Sequence, residues 1–220
     1  MRRARLKAAN EIVNGATEQS TSHAPRDNRE AILDAAARTI ARRGVRGLRV
    51  EDVASEAGVS AALLYYHFES RSGLVKAALE HASEQAPSAA LRNGSAPQVA
   101  EAATGYEAVE AALLAELDEE PSVRDNAVVW GEVSASAVFE PDLRDDVRRV
   151  TEAWREAVAA GIRAGIADGS IRRDIDADES AELLITLVDG LCTRWLAGAM
   201  DSRAARGLLR AGLERALRPG

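Results

Sequence analysis

The chain has a single cysteine, Cys192, in 220 residues. That excludes an intramolecular disulfide framework and fits a reducing, cytoplasmic compartment. Aromatic residues make up only 4% of it, and β-branched runs with strand-like alternation are hard to find. Alanine and leucine dominate instead, so the expected fold is helical throughout. Apolar stretches are short and broken by Arg, Asp or Glu, and none is long enough to span a bilayer. The basic N-terminus is followed by no apolar segment of the secretory kind. Catalytic signatures are also missing. There is no Gly-x-Ser-x-Gly, no phosphate-binding loop and no His-Glu-x-x-His, and the three histidines (His23, His67, His81) are widely separated. Acidic residues are plentiful but spread over expected solvent faces. An enzyme, a metal site and a bound cofactor are therefore not expected.

What is present is 46% apolar residues, ample for a packed core, and a net charge of −7 that is unevenly shared. Residues 1–76 carry 13 Lys/Arg against 9 Asp/Glu, whereas residues 77–220 carry 15 against 26. Attraction to phosphate is local, screened beyond a Debye length of about 8 Å at physiological salt. An acidic body is thus compatible with a basic, DNA-facing head.

Three segments are expected: a tail over 1–25, a small helical domain over 26–82, and a larger helical domain over 83–220. The tail is polar, with Arg2, Arg3, Arg5 and Lys7 in front, and reads either as a frayed extension or as a basic arm; Met1–Val13 allows a short amphipathic helix. Ile32, Leu33, Ala36, Ala37 and Ile40 share one helical face, closed by Gly44. A short helix over 50–57 follows, then a Gly58-Val59 turn, then a helix capped by Ser60 and running through His67. A fourth helix begins near Ser72. After a polar break over 84–98, helices are expected over about 99–118, 122–138, 142–168, 177–199 and 202–217, with Asp176-x-x-Glu179 as a capping box.

Two short helices meeting across Ala57-Gly58-Val59 make a helix-turn-helix. Ala57 allows a close crossing, Gly58 relieves the turn and Val59 pins it to the core, so that the next helix projects into a major groove about 12 Å wide. Together with Ile32, Leu33, Ala36, Gly44, Val53-Ala54, Ala57–Ser60, Leu64-Tyr65-Tyr66-His67-Phe68, Ser70, Arg71 and Leu74, this resembles the tetracycline-repressor (TetR) family over residues 29–80. The resemblance implies a ligand-responsive DNA-binding regulator, expected to be a repressor released from a palindromic operator by a small molecule. It implies phosphate contacts for Tyr65, Tyr66, His67 and Arg71, where the alternative is an aromatic core stripe or a solvated charge. Ser60, Ala61, Ala62 and Leu63 open the reading helix. Small apolar side chains there suit thymine methyls but cannot form bidentate bonds to bases. Arg46 and Arg49 flank the preceding helix, and Arg49 stands where the family usually has a capping threonine.

In the larger domain the resemblance implies a C2 homodimer. It pairs Val147, Val150, Val158 and Gly161 of one helix, and Leu184, Val188, Leu191 and Trp195 of the next, with their copies. The alternative is that these helices are central to their own domain. The resemblance also implies an apolar effector pocket, for which Tyr106, Leu113, Trp130, Val133, Phe139 and Trp154 are candidates. The rival functions are an enzyme, or a helical module that binds only protein. Neither effector, operator nor the role of the tail can be read from these residues.

Overall fold

Ile32, Leu33, Ala36 and Ile40 lie on the buried side of a first helix in the computed structural model, which describes residues 28–89, 91 and 102–218. The tail, with its possible helix, lies outside the described residues. Helix α1 (Asn28–Gly47) is interrupted at Gly44, whose φ of 71° and ψ of 169° belong to glycine. Beyond it come α2 (Val50–Ala57), α3 (Ala61–Phe68) and α4 (Arg71–Gln85). Gly58 is left-handed at φ 70°, and the Val59 N–H donates to the Ala54 carbonyl at 2.9 Å, closing the turn. Ser60 and Ser70 cap the next two helices by accepting from the Leu63 and Gly73 N–H groups at 3.1 and 3.0 Å.

The remainder comprises α5 (Gly105–Ala115), α6 (Pro121–Ser136), α7 (Arg144–Asp168), α8 (Ala177–Leu196) and α9 (Ser202–Leu217), so the described residues hold nine α-helices and no strand. Among them no helix is long and apolar enough to cross a membrane. Asp176 caps α8 by accepting from Asp178 and Glu179 N–H groups, both at 2.9 Å. A reciprocal capping box occurs instead at Thr104 and Glu107, and it starts α5 at Gly105, later than the apolar pattern suggested.

Two apolar cores result. The first joins α1–α4 to Val129, Val133 and Ala137 of α6, to Leu143, and to Val150 of α7. The second packs α5, the later half of α7, α8 and α9 around Leu113, Val158, Ile162, Leu184 and Leu209. Small residues set how closely these helices approach. A β-carbon at Gly105 would overlap the backbone of Gly165, and one at Gly161 would stand 2.7 Å from Val109. Gly131 on α6, by contrast, has nothing within 4 Å of where its β-carbon would be. Gly105→Ala is therefore expected to destabilise the fold by about 1–3 kcal/mol. Gly131→Ala, in an exposed helix interior, should stabilise it by roughly 0.5–1 kcal/mol. Urea denaturation midpoints of the two variants should move in opposite directions.

Candidate nucleic-acid interface and interior cavity

Helix α3 presents two faces. Leu64 and Phe68 are buried in the first core, while Tyr65 is 45% and Tyr66 81% exposed. Adjacent residues on a helix are about 100° apart, so burying Leu64 and Phe68 turns the two tyrosines outward. His67 is half-buried, its ring edge-on to Tyr66 with centroids 5.5 Å apart. Ala62 is exposed at the start of the helix, whereas Ala61 leans on the core and Leu63 is half-buried. Ser60 uses its hydroxyl to cap. Arg49 is exposed; its carbonyl accepts from the Val53 N–H at 3.2 Å, while its side chain caps nothing and makes no hydrogen bond or ion pair among the described residues.

Two expected DNA contacts are placed elsewhere. Arg71 turns its guanidinium to the chain that follows α1, donating to the Leu48 carbonyl at 3.1 Å and also to the Val45 carbonyl. Carbonyls at a helix end lack intrahelical partners and attract a cation, so this side chain braces the loop instead of reaching outward. Arg46 lies over the ring of Phe139, 5.7 Å from its centroid, on the side that faces the larger domain. Much of the head's remaining positive charge is also engaged. Arg38 and Arg42 pair with Glu56, and Arg43 pairs with Asp52 at 2.5 Å.

A partly open cavity lies between α4, α6, α7 and α8. Trp130 and Trp154 line it, their rings T-shaped with centroids 6.4 Å apart. The other pocket candidates do not. Tyr106 and Leu113 are buried in the second core, Tyr106 beneath the Arg218 guanidinium at 4.0 Å. Val133 fills the first core, and Phe139 is 74% exposed because it follows the end of α6. Sequence reasoning missed Asn126, Cys192 and two acids in the lining, Glu116 and Asp189. The signal was there: each acid interrupts an apolar helical run, Leu113-Leu114-Ala115-Glu116-Leu117 and Leu187-Val188-Asp189-Gly190-Leu191.

These acids are electrostatically unusual. Burial pushes Asp189 up to about 6, opposed by the Trp130 indole N–H that donates to it at 2.9 Å and aided by Glu182. Burial also raises Glu116; its carboxylate accepts from the Ser88 N–H at 2.8 Å, and Asp189 adds repulsion. Cys192, in the same lining, is pushed up to about 12 by burial and by both acids, so it is an inert thiol. Among the described residues no group of three or more His, Cys, Asp or Glu could hold a metal ion.

The side chains expected to pair subunits are mostly consumed within one chain. Val150, Val158, Leu184, Val188, Leu191 and Trp195 are all buried, Val147 packs on the first core and Gly161 faces Val109. Helix α7 lies between two cores and spends its apolar stripe on them. The apolar surface left on the last two helices is Leu183, 63% exposed, and Leu208, 53% exposed, beside half-buried Leu187.

Comparison with known proteins agrees with this architecture. The sequence profile of bacterial regulatory proteins of the tetR family matches residues 32–78, and that of the C-terminal part of BetI-type transcriptional repressors matches residues 105–218. A TetR-family transcriptional regulator of known crystal structure from Rhodococcus sp. is 39% identical with a TM-score of 0.79, over 86% of this chain and 98% of that one. A transcriptional regulator from Saccharomonospora viridis, solved in complex with choline, is 30% identical with a TM-score of 0.74, over 87% of this chain and 98% of its own. The HTH-type transcriptional repressor KstR2 of Rhodococcus jostii is 28% identical over 156 residues, 68% of this chain and 71% of that protein.

The raised Asp189 makes a stability prediction. Its folded value of about 6 exceeds its ordinary 3.8, so the folded chain binds the extra proton between those values. Its contribution is fully present below the ordinary value and is lost as pH rises through the folded one. Relative to Asp189→Asn, the natural chain should therefore lose stability between pH 4 and pH 7, and the variant should melt higher at neutral pH. Thermal melts across that range check both statements.

Proposed function

The chain belongs to the TetR family of ligand-responsive, DNA-binding transcriptional regulators and is not an enzyme, and from that premise we propose that it is a homodimeric repressor that reads a palindromic operator with α3 and is released by a small molecule held in the cavity. The observation that carries this reading is the disposition of α3. Its inner face is locked by Leu64 and Phe68, so Ala62, Tyr65 and Tyr66 stand outward as a rigid set with Arg49 exposed beside the preceding helix. Phenolic hydroxyls and a guanidinium suit phosphate oxygens, and the methyl of Ala62 suits a thymine methyl. With so few groups able to bond base edges, sequence preference rests largely on DNA shape and on the placement of the helix.

Dimerisation is assigned to the face that α8 and α9 leave uncovered. Leu183, Leu187 and Gly190 run along α8, and Gly207, Leu208 and Ala211 along α9, with Leu187 seated against Gly212. Apolar and small residues at this spacing form a self-complementary helical strip of the kind a two-fold axis pairs. Two reading helices set about 34 Å apart would meet successive major grooves. The choline held by the Saccharomonospora viridis relative supports a small molecule as the kind of occupant the cavity takes.

Fluorescence anisotropy against DNA from the chain's own promoter region, with scrambled DNA as control, tests the reading. A preference of at least ~10³-fold is expected, with affinity falling steeply as salt rises. Tyr66→Ala and Arg49→Ala should weaken binding to all sequences alike, and Arg49→Ala should reduce the salt slope by about 1 per protomer. Leu183→Arg should give a monomer by light scattering and lose most operator affinity. Equal, weak binding to both DNAs, together with no effect of Arg49→Ala, would overturn the assignment of α3 to DNA.

A further inference from the structure

Resting on the reading of Arg49 as a DNA-phosphate contact, we propose that Arg71 and Glu132 are positioning residues for operator binding. They hold the loop between α1 and α2 from the head and from the body, and so fix where Arg49 points. Along that loop Val45 and Leu48 are buried, while Arg46 and Arg49 are exposed. Two buried side chains set how deep the loop sits. The tilt of its peptide planes is set by hydrogen bonds.

Val45 is held at both of its backbone groups. Its N–H donates to the Glu132 carboxylate of α6 at 3.1 Å. Its carbonyl accepts from the Arg71 guanidinium of α4 and from the Leu48 N–H, the latter at 3.2 Å. The same guanidinium donates through Nε to the Leu48 carbonyl at 3.1 Å. A peptide unit is planar, so holding the Leu48 carbonyl also holds the N–H and Cα of Arg49. On its other side the Arg49 carbonyl accepts from the Val53 N–H at 3.2 Å as α2 begins. With both flanking planes held, Arg49 keeps an extended backbone at φ −113° and ψ 135°, and its side chain leaves the surface in one direction. A cation carried on a fixed backbone gives up less freedom on meeting a phosphate than one carried on a loose loop.

The chemistry of the two clamping groups separates this role from direct contact with DNA. The planar fork of Arg71 has its Nε and Nη2 committed to carbonyls of its own chain, a pairing that a single ammonium does not reproduce. Glu132 is an acid, so its direct electrostatic effect on DNA is repulsive. A favourable contribution from Glu132 to operator affinity therefore comes through the loop it holds.

The test is a double-mutant cycle on the full chain, read by fluorescence anisotropy against the promoter DNA across a salt series. Arg71→Met keeps the aliphatic stem and removes the donors, and Arg49→Ala removes the phosphate contact. Each alone should weaken promoter binding about tenfold, and the double variant should lie within about twofold of Arg49→Ala, because nothing is left to position. The salt slope should fall by about 1 per protomer in Arg49→Ala and by no more in the double variant. Glu132→Ala should weaken binding about threefold or more although it removes a negative charge, and only while Arg49 is present. Thermal melts establish that the variants fold; should Arg71→Met fail to do so, the Glu132 cycle decides. Losses that multiply, with a slope reduced by about 2 per protomer, would make Arg71 a phosphate ligand in its own right and overturn the proposal. Natural affinity in Arg71→Met, or tighter binding by Glu132→Ala, would overturn it as well. Effects of Arg71 and Glu132 that persist unchanged without Arg49 uphold the reading of Arg49 and overturn only its positioning. No effect of Arg49→Ala overturns that reading and the proposal with it.

Discussion

The structure depends first on the seating of α6 in the core of the reading head. Four helices of 20, 8, 8 and 15 residues bury so small a fraction of their surface that a core of their own would be marginal. Val129 and Val133 of α6 are fully buried among them and complete it. Between these two valines α6 extends Glu132, whose carboxylate accepts from the Val45 N–H at 3.1 Å. The same carboxylate occupies the space a β-carbon at Gly44 would need, so the glycine serves the contact as well as the left-handed turn. On the opposite side of that loop, Arg71 bonds the Val45 and Leu48 carbonyls. The loop between the first two helices is thus gripped from the body by an acid and from the head by a base.

Legibility in the sequence follows from how local each determinant is. Gly58 and Ser60 act on backbone groups within four residues, and the turn and cap they announce are where they were expected, while Ser70 caps α4 just before the start expected near Ser72. Helical periodicity likewise identified the buried faces of α1 and α7. What periodicity cannot reveal is which neighbour a face meets. The stripe along α7 reads equally well as a subunit contact or as internal core, and the structure spends it internally, with Val150 in one core and Val158 in the other. Arg71 shows the same limit for a charge. Its position near the start of α4 matches a phosphate ligand in the family, but here its guanidinium donates to the Val45 and Leu48 carbonyls that follow the break at Gly44. The cavity was the least legible part because its defining groups are exceptions within apolar runs, and Glu116, which caps the end of α5, and Asp189 within α8 are 73 positions apart.

The charge pattern needs the same correction. Composition gives the first 76 residues an excess of positive charge, yet the pairing of Arg38, Arg42 and Arg43 with Glu56 and Asp52 binds α1 to α2 and removes much of the field those arginines would project. Exposed ion pairs add little stability, so their effect is mainly to orient α2 and to leave the DNA-facing side dependent on a few groups. That makes contact geometry, more than net charge, the source of operator affinity under the proposed function.

The two sites then meet in a single helix. Trp130 borders the cavity and bonds Asp189 of α8, while its neighbours Val129, Glu132 and Val133 belong to the head. Asp189 is held in a cavity that disfavours its charge, and the Trp130 N–H supplies part of the compensation. An effector that loosens or turns Trp130 need not transmit anything across a distance, because the next residues along the same rigid helix are already inside the head's core. A packed core resists gradual deformation, so a small rotation of α6 must be met by the seat of Val129 and Val133, and with it by the loop that α6 holds at Val45. The reading helix rests on that same core through Leu64 and Phe68. Under the proposed function, its pitch relative to a second subunit follows the helix that borders the cavity.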